Sequence, residues 1–147
     1  MRPAVAVGLA AALSPMISGM AAPLTRARAE ALLFEFTQSD ALRKIVEAIC
    51  SHADYMGIPR DTPLKKAIYA CDELVGFIGA CVKVRPSKKV ADLPVESVVK
   101  KLKDKAFARS VDRSYVYGGA AAVGRPLEEH VRFLIDTLRP IAEEIGL

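Results

Sequence analysis

The sequence predicts an all-α fold, a bundle of about five or six helices, and three observations carry that prediction. Beyond the first two dozen residues, alternating strand-like runs and hairpin turn dipeptides are missing. Apolar residues recur instead at three- and four-residue spacing. Helix-start and helix-stop residues fall between the periodic runs. In order, Ala29, Leu32, Leu33 and Phe36 make Arg26 to Phe36 an amphipathic helix. Ser39 or Asp40 caps a second one from about Ala41 to Cys50, with Leu42, Ile45, Val46 and Ile49 on one face. Asp54 to Thr62 is polar and holds Gly57 and Pro59, so it reads as a loop. Thr62-Pro63 opens the longest helix, because a threonine can cap it and a proline at its first position loses no needed hydrogen bond. That helix runs to about Val84 and stops before Pro86. Its face of Ile68, Cys71, Leu74, Val75, Ile78, Cys81 and Val82 marks it as the central buried helix. Pro94 opens another, to about Lys103, with Val95, Val98, Val99 and Leu102 inward. Asp112 caps a short helix ending near Gly124, and Pro126 opens the last, with Leu127, Val131, Leu134, Ile135 and Leu138 inward. Pro140 should kink or shorten it.

A chain of 147 residues, 52% of them apolar, is long enough for one domain with a real core. Trp is absent, so aliphatic residues must fill that core. Cys50, Cys71 and Cys81 sit in apolar surroundings with no Cys-x-x-Cys pair, and read as small buried hydrophobes. Residues 1–23 stand outside the domain, which spans 24–147. They combine Arg2, an apolar run from Ala4 to Leu13 and small residues around Gly19. A secretory signal, an organelle transit peptide and a non-native start with initiation at Met20 all fit. Nothing downstream looks adapted to secretion, which favours the last and a cytoplasmic protein. The apolar run is too short to span a bilayer, so no membrane partner is expected.

The net charge of +4 is uneven. Between Lys83 and Arg113 ten basic residues face four acidic ones, a local +6, while the rest of the chain is slightly acidic. Such a surface suits an acidic partner or nucleic acid, with Lys83, Arg85 and Lys88 as candidate anion-binding residues. However, Lys100, Lys101, Lys103 and Lys105 fan around a helix, as an ordinary solvated face would.

Two places could carry chemistry. Asp72 stands inside a nearly apolar helical run, where a buried carboxylate needs a cation or several donors, and a solvent-edge carboxylate beside Glu73 needs nothing. His52 and Asp54 sit at a helix-to-loop transition and supply an imidazole and a carboxylate that a divalent metal accepts. The same stretch also reads as the polar end of a helix. His130, the other histidine, follows Glu128 and Glu129 and is expected to be exposed.

Four stretches together resemble a subgroup of HD-domain proteins, the all-helical metal-dependent phosphohydrolase superfamily. They are Ile49 to Thr62 (with Ser51-His52-Ala53-Asp54), Ala70 to Gly76 (with Asp72-Glu73), Val84 to Lys88, and Lys101 to Asp112. The likeness covers Thr25 to Ile141. It implies that Asp72 is a metal ligand, that His52 lies beside the metal or a phosphate, and that Asp54 is its neighbour in a catalytic loop. The implied cofactor is magnesium, manganese or iron, and the implied substrate a phosphorylated small molecule or nucleotide. The family's first histidine and its His-Asp doublet have no counterpart here. Lys44 is followed at once by Ile45, as if the helices carrying those ligands were removed between them. The expectation is an incomplete HD-domain-like bundle with impaired or absent catalysis, and a homodimer covering the apolar faces left bare. The second expectation is a helical binding module using the 83–113 surface.

Overall fold

The computed structural model describes residues 40–147, and these form five α-helices with no strand among them. They are α1 (Asp40–Cys50), α2 (Pro63–Lys83), α3 (Val95–Leu102), α4 (Arg113–Ala122) and α5 (Leu127–Leu138). Short 3-10 turns occur at Asp54–Met56, Val90–Asp92 and Arg139–Ile141. The all-α prediction is met. The extension at 1–23, the helix read at Arg26–Phe36 and the side chain of Leu42 lie outside the described residues.

The predicted starts and stops work as the chemistry requires. Thr62 Oγ1 accepts from the Lys65 amide at 3.3 Å, with Pro63 at the first helical position of α2. Asp112 caps α4 by accepting from the Ser114 amide at 2.8 Å. At the other end of α4, Gly124 takes the left-handed φ of 66°. The Arg125 amide then reaches Ala120 O, and the Gly124 amide Ala121 O, which satisfies two orphan carbonyls. Pro140 sits in a 3-10 turn that follows α5 directly.

Helix α2 is the axis of the fold. Every apolar residue expected on its face is buried, and Phe77 joins them with no exposed surface. Around it pack Val95, Val98 and Leu102 of α3, Val116 of α4, and Val131, Leu134, Ile135 and Leu138 of α5. The three cysteines are buried and unpaired within this core or the smaller one beside it. That smaller cluster gathers Cys50, Ala53 and Met56 beneath the turn after α1, with Val46 and Ile58 packed on it. Lys65 links the two parts. Its buried ammonium lies 2.5 Å from Glu47 of α1 and 3.0 Å from Asp61.

The expectation that His130 is exposed is wrong: it is only 2% exposed. On α5 it shares the face of Leu127, Val131 and Leu134, and the two glutamates before it point outward. Its Nε2–H donates to Ala70 O at 2.8 Å, while Nδ1 is buried and without a hydrogen-bond partner. Burial pushes the imidazole's pKa down from 6.5, the Ala70 bond opposes this, and the Arg125 charge adds to the fall.

Two outcomes follow from this packing. An ideal Cβ on Gly119 would stand 2.7 Å from Ala70 Cα, whereas one on Gly118 would meet the Tyr69 side chain, its hydroxyl nearest at 2.6 Å. Gly119→Ala should therefore cost about 1–3 kcal/mol in urea denaturation. Gly118→Ala should cost less, because a side-chain tip can move and alanine favours the helix by roughly 0.5–1 kcal/mol. Equal losses would contradict the close approach. For His130, the unfolded chain takes up a proton below 6.5 that the fold resists. Its contribution is complete above that value and fades as pH falls through it towards the lower folded value. The urea midpoint should drop from about pH 7.5 to about pH 5.5, and His130→Gln should flatten that drop.

Candidate functional site

The site begins with the end of α1. Its last turn tightens, with the His52 amide bonding to Ile49 O at 3.2 Å and the Ala53 amide to Cys50 O at 3.4 Å. Gly57, at φ 64°, closes the following 3-10 turn in a conformation that suits glycine. This folding turns the His52 ring towards α2. His52 Nδ1 bonds to Ile49 O, and a carbonyl only accepts, so Nδ1 carries the hydrogen in that bond. Nε2 is left to face Asp72 Oδ2 at 3.9 Å.

Asp72 is neither of the two extremes its sequence context allowed. Its side chain is 20% exposed and that of His52 17%, so the pair sits half-sheltered on the flank of α2. Burial raises the Asp72 carboxyl above its usual value, partly offset by His52. Glu73 beside it is raised too, by burial first and then by the Asp72 charge, while a hydrogen bond from the Asp112 backbone pulls it the other way. Separation of 3.9 Å is beyond a hydrogen bond.

Asp54 lies apart from that pair. It is exposed and points to Arg60, with Arg60 Nη2 at 2.5 Å from its Oδ1. Its carboxyl is held below the ordinary range by the Tyr115 hydroxyl first and Arg60 second. The expected catalytic loop thus splits: His52 goes to Asp72, and Asp54 goes to Arg60 and Tyr115.

Arg60 is the residue that sequence reasoning missed. Its Nε donates to Ser51 O at 2.8 Å and its Nη2 to His52 O at 2.9 Å, while its guanidinium lies 3.7 Å over the Tyr69 ring. Tyr69 in turn meets Tyr115 edge-on, with centroids 5.5 Å apart. Arg60 therefore ties the His52 backbone to α2, and through the tyrosines to α4. Its position within the quoted Ile49–Thr62 stretch was the only hint, since a lone arginine in a polar loop carries no spacing signal.

Among the described residues, no three or more His, Cys, Asp or Glu side chains are arranged to hold a metal. His52 and Asp72 supply two donors, too few for an ion that must activate water. Lys83, Arg85 and Lys88 follow one another at the end of α2, with Lys88 in a left-handed φ of 50° and its amide on Arg85 O. No described helix is long and apolar enough to cross a membrane.

The fold and site thus define an all-helical domain with a half-buried pair formed by Asp72 of the central helix and His52 of the turn after α1. No family model matches the chain, nor does any curated protein or solved structure.

Arg60→Ala should cost on the order of 1–3 kcal/mol, since it strips a charged donor from two carbonyls. Amide hydrogen exchange at 51–57 should quicken more than in α5. Uniform quickening would show that Arg60 serves the whole fold and not this loop.

Proposed function

We propose that this chain carries the remainder of an HD-type metal-dependent phosphohydrolase site, with hydrolysis impaired or absent. The observation that carries the reading is the pairing of His52 with Asp72, twenty residues apart in sequence and 3.9 Å apart in space. The Nδ1–Ile49 bond leaves Nε2 as the ligand atom, the arrangement in which a backbone carbonyl orients a metal-binding imidazole. Asp72 would be the carboxylate ligand, and Arg60 holds the loop that presents His52. Magnesium, manganese or iron would supply Lewis acidity there, but two protein donors do not fix its geometry, so no reaction step is assigned to it. Asp54, engaged by Arg60 and Tyr115, has no part in the pair. The substrate class in this reading is a phosphorylated small molecule or nucleotide. The same reading has a second copy of the chain covering the flank of α2 around the exposed Gly76.

Manganese titration followed by electron paramagnetic resonance tests the pair. The expected dissociation constant is about a millimolar or weaker, with the binding lost in Asp72→Asn and His52→Ala. Hydrolysis of p-nitrophenyl phosphate should stay at background. Tight stoichiometric manganese together with turnover that Asp72→Asn abolishes would show a working site. Manganese uptake indifferent to both substitutions would remove the pair from metal chemistry altogether.

A further inference from the structure

A second feature stands apart from the His52–Asp72 pair. An open cleft of about 690 Å³ lies between the end of α3, the loop 103–112 and the start of α4. Leu102 and Val111 supply its apolar part, Lys103, Lys105 and Arg109 its cations, and Tyr117 an aromatic wall that is 47% exposed. Its volume falls within the range of pockets that take a ligand or a few side chains.

The loop forming this cleft is held from within. Arg113 Nη1 donates to Ala108 O at 2.6 Å and Val111 O at 2.7 Å, and Nη2 donates to Asp104 O at 3.2 Å and to Phe107 O. One guanidinium thus gathers four carbonyls and fixes a turn in which Ala108 takes a φ of 43°. The Arg113 side chain is consumed by this task. The ammonium and guanidinium groups of Lys103, Lys105 and Arg109 have no hydrogen bond to another described residue and sit on a pre-shaped rim.

The chemistry of the cleft discriminates among anions. A phosphate at this place would want the N-terminus of α4, but Asp112 already closes it, its carboxylate bonding both the Ser114 amide and hydroxyl. Asp112 is also among the residues lining the cleft, and its charge opposes a compact, doubly charged group more strongly than a singly charged one. Single-stranded nucleic acid wants successive aromatic platforms, and Tyr117 is the one exposed aromatic of this cleft. Spaced single charges around an apolar side chain fit better. The geometry points to this cleft as a docking site for an acidic peptide segment, its carboxylates on Lys103, Lys105 and Arg109 and an apolar side chain between Leu102, Val111 and Tyr117.

Fluorescence polarisation on the whole chain tests it, using a short labelled peptide of glutamates around a central leucine pair. Binding should weaken by about tenfold or more in Lys105→Glu with Arg109→Glu, and less in Tyr117→Ser. The exposed pair Lys66→Glu with Arg132→Glu, neither of which lines the cleft, changes the net charge equally and should leave binding nearly intact. Circular dichroism should show all variants folded, since the exchanged side chains are exposed. The proposal is overturned by any of four results. These are equal binding of the glutamine version of the peptide, retention of binding in the Lys105/Arg109 exchange, an equal loss in the control exchange, or tighter binding of single-stranded RNA of matched charge.

Discussion

The approach of α4 to α2 at Ala70 and Gly119 is the constraint on which the rest of the arrangement depends. A Cβ at 119 would run into backbone, so the two helices meet at van der Waals distance only because that position is bare. Around the contact, neighbours of Ala70 take up separate tasks. Its carbonyl receives the His130 ring and so docks α5. Tyr69 packs against Gly118 and Tyr115 on one side and under Arg60 on the other. Two residues further along α2, Asp72 faces His52. The position of the His52 loop therefore follows from how closely α4 sits, through Tyr69 and Arg60.

Polar groups near this axis are held at an electrostatic cost that depends on pH in opposite senses. Asp72 and Glu73 have carboxyls raised by burial, so the fold favours their neutral forms. Their contribution is complete below their usual values of 3.8 and 4.5, and it is lost as pH rises through the elevated folded values. His130 is neutral by preference, and its contribution is lost in the other direction, as pH falls below 6.5. His52 partly offsets the rise that burial imposes on Asp72. The surface pairs behave differently: Asp54 and Asp61 are lowered mainly by hydrogen bonds and change little for the core.

The helices were legible because their signals are local. Thr62-Pro63, Asp112 and Gly124 each act within a few residues, and the structure uses them as caps. The face of α2 was legible for the same reason, since seven apolar residues at helical spacing leave one orientation. What was hidden depends on contacts between elements. Glu128 and Glu129 made His130 look exposed, although its spacing from Leu127 and Leu134 placed it on the buried face. Asp72 could not be assigned to core or surface, because its partner comes from the turn after α1. Arg60 was invisible because its partners are mostly carbonyls, which every residue possesses.

Arg60 and Arg113 show the same physical solution at two places. Each guanidinium collects backbone carbonyls at a segment that lacks regular hydrogen bonding, two for Arg60 and four for Arg113. Each also lies over an aromatic ring of α2, Tyr69 at 3.7 Å and Phe77 at 5.2 Å. A lysine could replace neither, since its point charge lacks the planar fork of donors and the flat face that stacks. The basic excess between Lys83 and Arg113 therefore divides by task. Arg113 is internal scaffolding, and Lys101 rests on the Phe107 ring at 4.2 Å. Lys103, Lys105 and Arg109 are left on the rim of the cleft. Net charge alone counts these residues alike. Only the hydrogen-bond partners separate the cations that hold the chain together from those that face outward.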